Sequence, residues 1–526
     1  MSSARKELFR WDSLGRYYET GLARLARDWD TLDEGAEFAD GRHPYANDLS
    51  LFGRGSLFQL LCSARTHCGR ETLAEWMKNS AGAEEIILRQ QAVAELRADA
   101  DLRERLASVG AALISDCKPE TFHNWLFEKR LFPSWLAIVA CILPLTLPVV
   151  FVLWSLRIMD PSGLGPTLLA WAVLQGIFGA VLQRRVRYVI DSVALPSLEL
   201  PLICDLLALV AGARFSSPKL VEIATRLQPA EPCLRKLRTL VTLLDQRIRR
   251  EWFLPLSYFL LWGTQFALAI ERWRLREGDG VPAWLAAIGE FEALICMATY
   301  SFEHPGDPYP EVIEGSGEVL AQGMGHPFLD EHTIVRNDLT LDDRVRFLVV
   351  SGSNMSGKST FLRALGLNTV LAYMGAPVRC GRLVLPVMKV AAAMRIEDDI
   401  TSGKSRFYAE MLRLKQMIEW SAREPLLFLI DEIMSGTNSH DRRIASEWVV
   451  QALISNGAVG LISTHDLSLT QIPSSDLPGS NVHFRDSGKD GELQFDYQLY
   501  PGVLKESNAL NIAHLLGITG VSEAVP

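Results

Sequence analysis

Residues 347–360 read FLVVSGSNMSGKST, and FLRALGLNTVLAYMG (361–375) follows. An apolar run enters a GxxxxGK[ST] loop, and the loop enters a stretch with helical spacing. Glycines let successive backbone N–H groups converge on an anion, and a helix N-terminus adds its dipole. On this reading Gly352, Asn354, Met355, Ser356, Gly357 and Thr360 wrap phosphates. Lys358 reaches the β- and γ-phosphates, and Ser359 offers a hydroxyl to Mg²⁺. The expected ligands are therefore ATP and Mg²⁺, on an α/β P-loop NTPase domain at the C-terminal end of the chain.

Further along, LLFLIDE (426–432) is an apolar strand that ends in two carboxylates. Asp431 suits a Mg²⁺-holding role, and Glu432 is placed to polarise an attacking water. LISTHD (461–466) repeats the pattern and delivers Thr464 and His465 to the same sheet edge, where His465 can contact the γ-phosphate. From about Val345 onward, strands alternate with helices, the α/β signal.

Upstream the composition changes. The 526 residues are 48% apolar and 22% charged, with a mean hydropathy of +0.11. Disorder is excluded, and two windows account for the apolar excess. Leu131–Leu156 and Pro161–Gln183 are free of charged residues. As helices of about 39 and 34 Å they exceed the hydrocarbon thickness of about 30 Å. Only Arg157–Asp160 separates them, so 131–183 is expected to form a transmembrane hairpin; the alternative is a pair of buried core helices. Pro133, Pro144 and Pro148 are tolerable in such spans. Lys129 and Arg130 before the hairpin and Arg184, Arg185 and Arg187 after it place both flanks in the cytoplasm. A third apolar stretch, Trp252–Ile270, is read as a buried or membrane-surface helix, or as half of a second hairpin with 281–302. Glu290 and Glu292 oppose the second hairpin.

Residues 1–130 read as a soluble helical unit and 184–304 as a second helical region. The formal net charge of −9 divides as −3 over 1–130, +3 over 131–300 and −9 over 301–526. No part is basic enough for tight, sequence-independent nucleic-acid binding. The 12 basic and 6 acidic groups of 184–250 form either a solvated helical face or a surface for anionic lipid or nucleic acid. Eight scattered cysteines without a CxxC pair fit a reducing cytosol. MSSARKELFRWDS at the start has no apolar core after its charges, so no cleavable signal is expected.

Taken together, these motifs resemble the MutS family of mismatch-repair ATPases. GSNMSGKST (352–360) is similar to its P-loop, EDDITSGKSRFYAEM (397–411) to its signature segment, and DEIMSGTNSHD (431–441) to its Walker B region. STHDLSLTQI (463–472) is similar to its histidine segment, and YQLYPGVLKESNALNIAHLLGI (497–518) to its C-terminal helix-turn-helix. More weakly, 57–97 resembles the family's core domain and IGEFEALICMATYSFE (288–303) its returning lever helix. The resemblance implies an ABC-like MutS domain V over 305–526, preceded by an all-α core and lever region that the hairpin interrupts. It implies a homodimer in which Ser405 reaches the ATP of the other subunit and His465 senses the γ-phosphate.

Departures from the family pattern are equally specific. The aromatic that stacks on adenine is replaced by Ile334, before Asn337 and Asp338. The family's GRG reads Met434-Ser435-Gly436. None of the 22 phenylalanines is followed two residues later by glutamate, so the Phe-x-Glu wedge that reads mispairs is missing. The hairpin occupies the place of the clamp helices, and no added nuclease domain is expected before Pro526. The expectation is a membrane-anchored ATPase, with membrane lipid and an unidentified protein as partners and any DNA bound without mismatch selectivity. The alternatives are an ABC-type membrane ATPase or a nucleotide-dependent scaffold without a DNA role. No LSGGQ segment supports the former.

Overall fold

The computed structural model describes residues 3–109, 124–158, 161–194, 196–249, 258–315, 317–353, 355–394, 406–434, 439–489 and 492–504. Helices come first: α1 (Ser3–Ala26), α2 (Leu57–Leu61), α3 (His67–Lys78), α4 (Ala83–Ala98) and α5 (Ala100–Ser108). Then follow α6 (Ser134–Ser155), α7 (Pro161–Ala194), α8 (Pro196–Gly212), α9 (Pro218–Leu227), α10 (Ala230–Arg249), α11 (Trp262–Glu277) and α12 (Val281–Glu303).

α12 is apolar on nearly every side and is the helix that α3, α4 and α9 enclose. Two glycines set the α3–α12 crossing. A Cβ on Gly289 would sit 2.7 Å from the Cys68 carbonyl oxygen, and one on Gly69 would sit 2.2 Å from Glu292 Oε2. The Glu292 carboxylate accepts from the backbone N–H of Arg65 (3.0 Å) and Thr66 (3.2 Å) at the N-terminus of α3. Burial pushes this carboxyl up to about 7 despite those donors. Glu290 on the same helix pairs with Lys219 (3.2 Å) and Arg226 (2.8 Å) of α9. The two glutamates that opposed a second hairpin are thus held by protein partners.

Among the described residues, three stretches are long and apolar enough to cross a membrane: Trp135–Ser155, Ser162–Val193 and Trp262–Glu303. The protein itself buries 17%, 11% and 67% of their most apolar windows, respectively. α11 and α12 therefore spend their apolar surface inside the fold. α6 and α7 turn theirs outward through Trp135, Ile142, Val149, Leu169, Ile177 and Val181. α6 continues through Pro144 and Pro148. α7 does not stop at Gln183 but runs on to Ala194, since arginines 184, 185 and 187 do not interrupt a helix.

Polar ties fasten this hairpin to the chain that precedes α11. The Gln175 amide donates to the carbonyls of Tyr258 (2.8 Å) and Phe259 (2.6 Å), and the Tyr258 hydroxyl donates to Ala172 O (2.6 Å). Tyr258 and Phe259 are the last helical residues before a turn in which Leu261 has φ +47°, and carbonyls at a helix end need donors from outside the helix.

The C-terminal part holds two sheets. β1 (Glu311–Ile313), β2 (Val319–Met324), β3 (Asn337–Leu341) and β5 (Arg382–Pro386) form a four-stranded sheet in the order β1-β5-β2-β3. β4 (Phe347–Ser351) leads into α13 (Lys358–Met374). With it come β6 (Lys389–Ala393), α14 (Arg406–Ser421), β7 (Leu426–Ile430), α15 (Ser439–Ser455), β8 (Val459–Thr464), β9 (Gly479–Lys489) and β10 (Glu492–Pro501). The second sheet has the order β10-β9-β4-β8-β7-β6. Its pairings are parallel except β9–β10. Strands β4, β7 and β8 are wholly or almost wholly buried, as their unbroken apolar sequences require. Parallel alignment brings the C-terminal ends of β4, β7 and β8 to one edge, the place where open α/β sheets bind ligands.

Candidate functional site

At that edge, β4 gives way to the glycine-rich loop. Gly357 (φ +105°) and Gly352 (φ +152°) take backbone angles that side chains resist. A Cβ on Gly352 would lie 2.7 Å from Ser356 Oγ. Lys358 opens α13 and is 5% exposed. Its ammonium donates to the carbonyls of Gly352 (2.8 Å) and Ser353 (2.7 Å). Desolvation lowers the Lys358 pKa, while the charges of Glu432 and Asp431 pull the other way. The hydroxyls of Ser353 and Ser356 are buried and have no hydrogen-bond partner among the described residues. A loop with N–H groups, an ammonium and two unpaired hydroxyls suits a phosphate chain.

The acidic side of the site comes from β7 and β8. Asp431 accepts a short hydrogen bond from the Ser463 hydroxyl, and its backbone N–H donates to Ala393 O (2.9 Å). Glu432 has φ +55°, an unfavourable angle for this residue type. Its N–H is held by Ser463 O (3.2 Å) and Ser463 Oγ (3.1 Å). The carboxylate reaches His465 Nδ1 at 3.4 Å. Met434 follows at φ +53°, its N–H bonded to Glu410 of α14 (2.5 Å) and its carbonyl to Arg442 of α15 (3.0 Å). The loop read as Met434-Ser435-Gly436 thus has a nearby arginine, eight residues on from Met434. No group of three or more metal-binding side chains occurs among the described residues. One carboxylate and one hydroxyl, Asp431 and Ser359, fit a Mg²⁺ ion that keeps waters and phosphate oxygens as its other ligands.

Between the two sheets lies a cleft of about 470 Å³. Ser356, Gly357, Lys358, Ser359, Thr360, Met355 and Glu432 line one part of it. Its far wall contains residues that carried no role in the sequence reading: His326, Leu329, Val335 and Tyr497. Ile334 packs instead on Gly325, where an added Cβ would lie 2.1 Å from Ile334 Cδ1. Tyr497, at φ +54°, is the half-exposed aromatic of the cleft. Asn337 fixes it, donating to Tyr497 O (3.0 Å) and accepting from Leu499 N–H (2.7 Å). Burial holds His326 neutral, with its pKa lowered to about 4. Only a position within a quoted segment, YQLYPG, pointed toward Tyr497.

Asn354 and Ser405 lie outside the described residues, as do 397–405 of the signature segment, Ser435, Gly436 and the part of the C-terminal segment beyond residue 504.

A family model for MutS domain V matches residues 348–524. The curated relatives of this chain include proteins named DNA mismatch repair protein MutS. That of Thermotoga petrophila is 29% identical over 235 residues. Those of Exiguobacterium sp. and Geobacillus thermodenitrificans are 36% and 32% identical over 235 and 239 residues. Residues 348–524 of the chain thus form a MutS domain V. Each alignment covers 44% of this chain and 26–29% of the relative, so the chain spans less than a third of those proteins. Most of the residues that line the cleft lie within the segment matched by MutS domain V.

Proposed function

We propose that this MutS-family chain is a membrane-anchored ATPase that works as a homodimer with two composite ATP sites. The observation that carries the reading is one sheet edge holding Lys358, Asp431, Glu432, Ser463 and His465 together. The exposed apolar hairpin α6–α7 on the same chain supplies the anchor.

In this reading the loop 352–357 and Lys358 bind the phosphates, with the ammonium leaving the Gly352 and Ser353 carbonyls for phosphate oxygens. Ser359 and Asp431 would hold Mg²⁺, which when bound would offset the negative charge of the phosphates. Glu432, fixed through its N–H by Ser463, orients and polarises the attacking water. His465 beside it reports the γ-phosphate. Tyr497 offers a stacking face for the base in place of the aromatic absent at Ile334. Ser405 of one subunit completes the site of the other. The relatives' name brings DNA repair to mind, but the mispair wedge is missing and domain V is acidic. We therefore assign DNA at most a weak, mismatch-indifferent contact through 184–250.

Purified protein with Glu432→Gln should bind ATP normally and hydrolyse it at least about 100-fold more slowly, the scale of a lost general base. Unchanged turnover overturns the assignment. The wild-type protein should also stay with membranes through carbonate washing, because apolar burial, unlike charge pairing, survives it. Release into the supernatant overturns the anchor.

A further inference from the structure

The loop His43–Leu51 belongs to the N-terminal helical part, yet it contacts α13 and the end of β6, which flank the candidate ATP site. It is built firmly. The Tyr45 hydroxyl lies 3.0 Å from Met77 O and 2.9 Å from Lys78 O at the C-terminal end of α3, and His43 Nε2 is 3.0 Å from Lys78 O. Backbone bonds from Leu51 N to Ala46 O (2.9 Å) and from Phe58 N to Leu51 O (3.0 Å) fold it onto α2.

On the other side it covers the free edge of β6, where Ala392 N–H donates to Pro44 O (2.9 Å). Uncovered, an edge strand leaves its donors unpaired. Asp48 is 6% exposed, and its carboxylate accepts from Met394 N–H at 2.7 Å. Met394 adjoins Ala393, whose carbonyl holds the N–H of Asp431 (2.9 Å). The Asp48 carbonyl accepts from Arg363 Nε (3.3 Å) on α13, five residues after Lys358. Arg413 of α14 joins the cluster through Ala392 O (3.2 Å), His43 O (2.8 Å) and Asp48 Oδ2 (3.6 Å). Leu49 then fills the notch that Gly366 leaves in α13, where a Cβ would lie 2.6 Å from Leu49 Cδ2.

One short loop thus grips α13, which carries Lys358, and the end of β6, which carries the backbone partner of Asp431. We propose that Asp48 is a positioning residue for ATP turnover, and that the loop His43–Leu51 is the mechanical link between the ATP site and the helical unit. The proposal rests on the ATPase reading. Without the carboxylate, the Met394 N–H loses its acceptor and the Asp431 strand end is free to shift against Lys358. Nucleotide contacts to the glycine-rich loop remain.

The test is steady-state ATP hydrolysis by full-length wild-type, Glu432→Gln, Asp48→Ala and Asp48→Asn proteins. AMPPNP affinity and amide hydrogen exchange with and without AMPPNP are measured on the same samples. Asp48→Ala should lower kcat by about 10- to 100-fold, the penalty of a misplacement near 1 Å, with KM and AMPPNP affinity within about threefold. Asp48→Asn keeps an acceptor oxygen for Met394 and should restore most of kcat. AMPPNP should slow exchange in 43–51 and at the end of α3 in the wild type and not in Asp48→Ala. If wild type shows no turnover, the ATPase reading fails. If wild type turns over, Glu432→Gln does not, and Asp48→Ala matches wild type, the positioning role alone is overturned. It is equally overturned if kcat and AMPPNP affinity fall together, or if Asp48→Ala does not fold and Asp48→Asn is as slow as Glu432→Gln.

Discussion

Replacing Lys358 by alanine separates binding from the geometry that precedes it. The ammonium already donates two hydrogen bonds, to Gly352 O at 2.8 Å and Ser353 O at 2.7 Å, from a site that is 5% exposed. ATP binding is therefore an exchange of partners, two loop carbonyls for phosphate oxygens. A hydrogen bond to a charged group contributes about 1.5–3 kcal/mol. Two phosphate contacts amount to about 3–6 kcal/mol, and the surrendered bonds, made by the same charged donor to neutral carbonyls, offset part of that. The net loss of about 2–4 kcal/mol predicts a Kd for Mg-AMPPNP raised about 30- to 1000-fold. Without ligand the variant should also melt earlier, because two loop carbonyls lose a charged donor. Isothermal titration with Mg-AMPPNP and thermal melts of the ligand-free protein measure the two effects separately. Lys358→Arg serves as a control, since it keeps the charge and changes the shape. A Kd for Lys358→Ala within about threefold of wild type would refute the view that this ammonium binds phosphate.

Lys358→Ala and Ser405→Ala should each be nearly inactive alone, and mixing them should recover activity from heterodimers with one intact site; no recovery with dimers present rejects shared sites. Acid should destabilise the fold between about pH 6.5 and pH 4. Burial lowers His326 and His304 from 6.5 to about 4, so in that window the unfolded chain takes up protons that the folded chain refuses. Each site contributes up to about 3 kcal/mol above that window, lost as pH falls through it, and His326→Asn should flatten the pH dependence of the melting temperature. In detergent, matched and mismatched duplexes should bind equally and weakly, with affinity falling as salt rises; a mismatch preference of about tenfold, or roughly 1.4 kcal/mol, would reveal a reading element outside the Phe-x-Glu pattern.

Much of the site was legible because its chemistry is local in sequence. A GxxxxGK[ST] loop between a strand and a helix fixes Lys358 and Ser359, and a carboxylate pair after a buried strand fixes Asp431 and Glu432. The apolar hairpin was legible for the same reason, since long runs without charge are rare. The cleft's far wall was not. Tyr497 reaches it through a positive φ and a side-chain clamp from Asn337, 160 residues away. Apolarity alone also misjudges α11 and α12, whose surfaces meet protein and whose glutamates find cationic or N–H partners.

The least legible contact is the one that joins the two ends of the molecule. Asp48 and Met394 are 346 positions apart, and nothing in DLSLFG announces an edge-strand cap. Its necessity becomes visible only from the sheet order. β6 lies at the margin of the six-stranded sheet, and its next residue, Met394, must still present an N–H. Because Ala393 O also holds Asp431, the cap sits one residue from the catalytic edge. On the proposed ATPase reading, a helical unit that responds to nucleotide needs contact with the elements that position Lys358 and Asp431. Through α13 and β6, the loop His43–Leu51 contacts both. The apolar hairpin is joined to that same helical unit: Leu131 N–H donates to Glu271 of α11 (2.9 Å), and α11 leads through Gly278–Gly280 into α12. A chain of contacts therefore runs from the glycine-rich loop through α13, the loop His43–Leu51, α3, α12 and α11 to the apolar hairpin. Hydrogen exchange along those elements would show whether nucleotide state travels it.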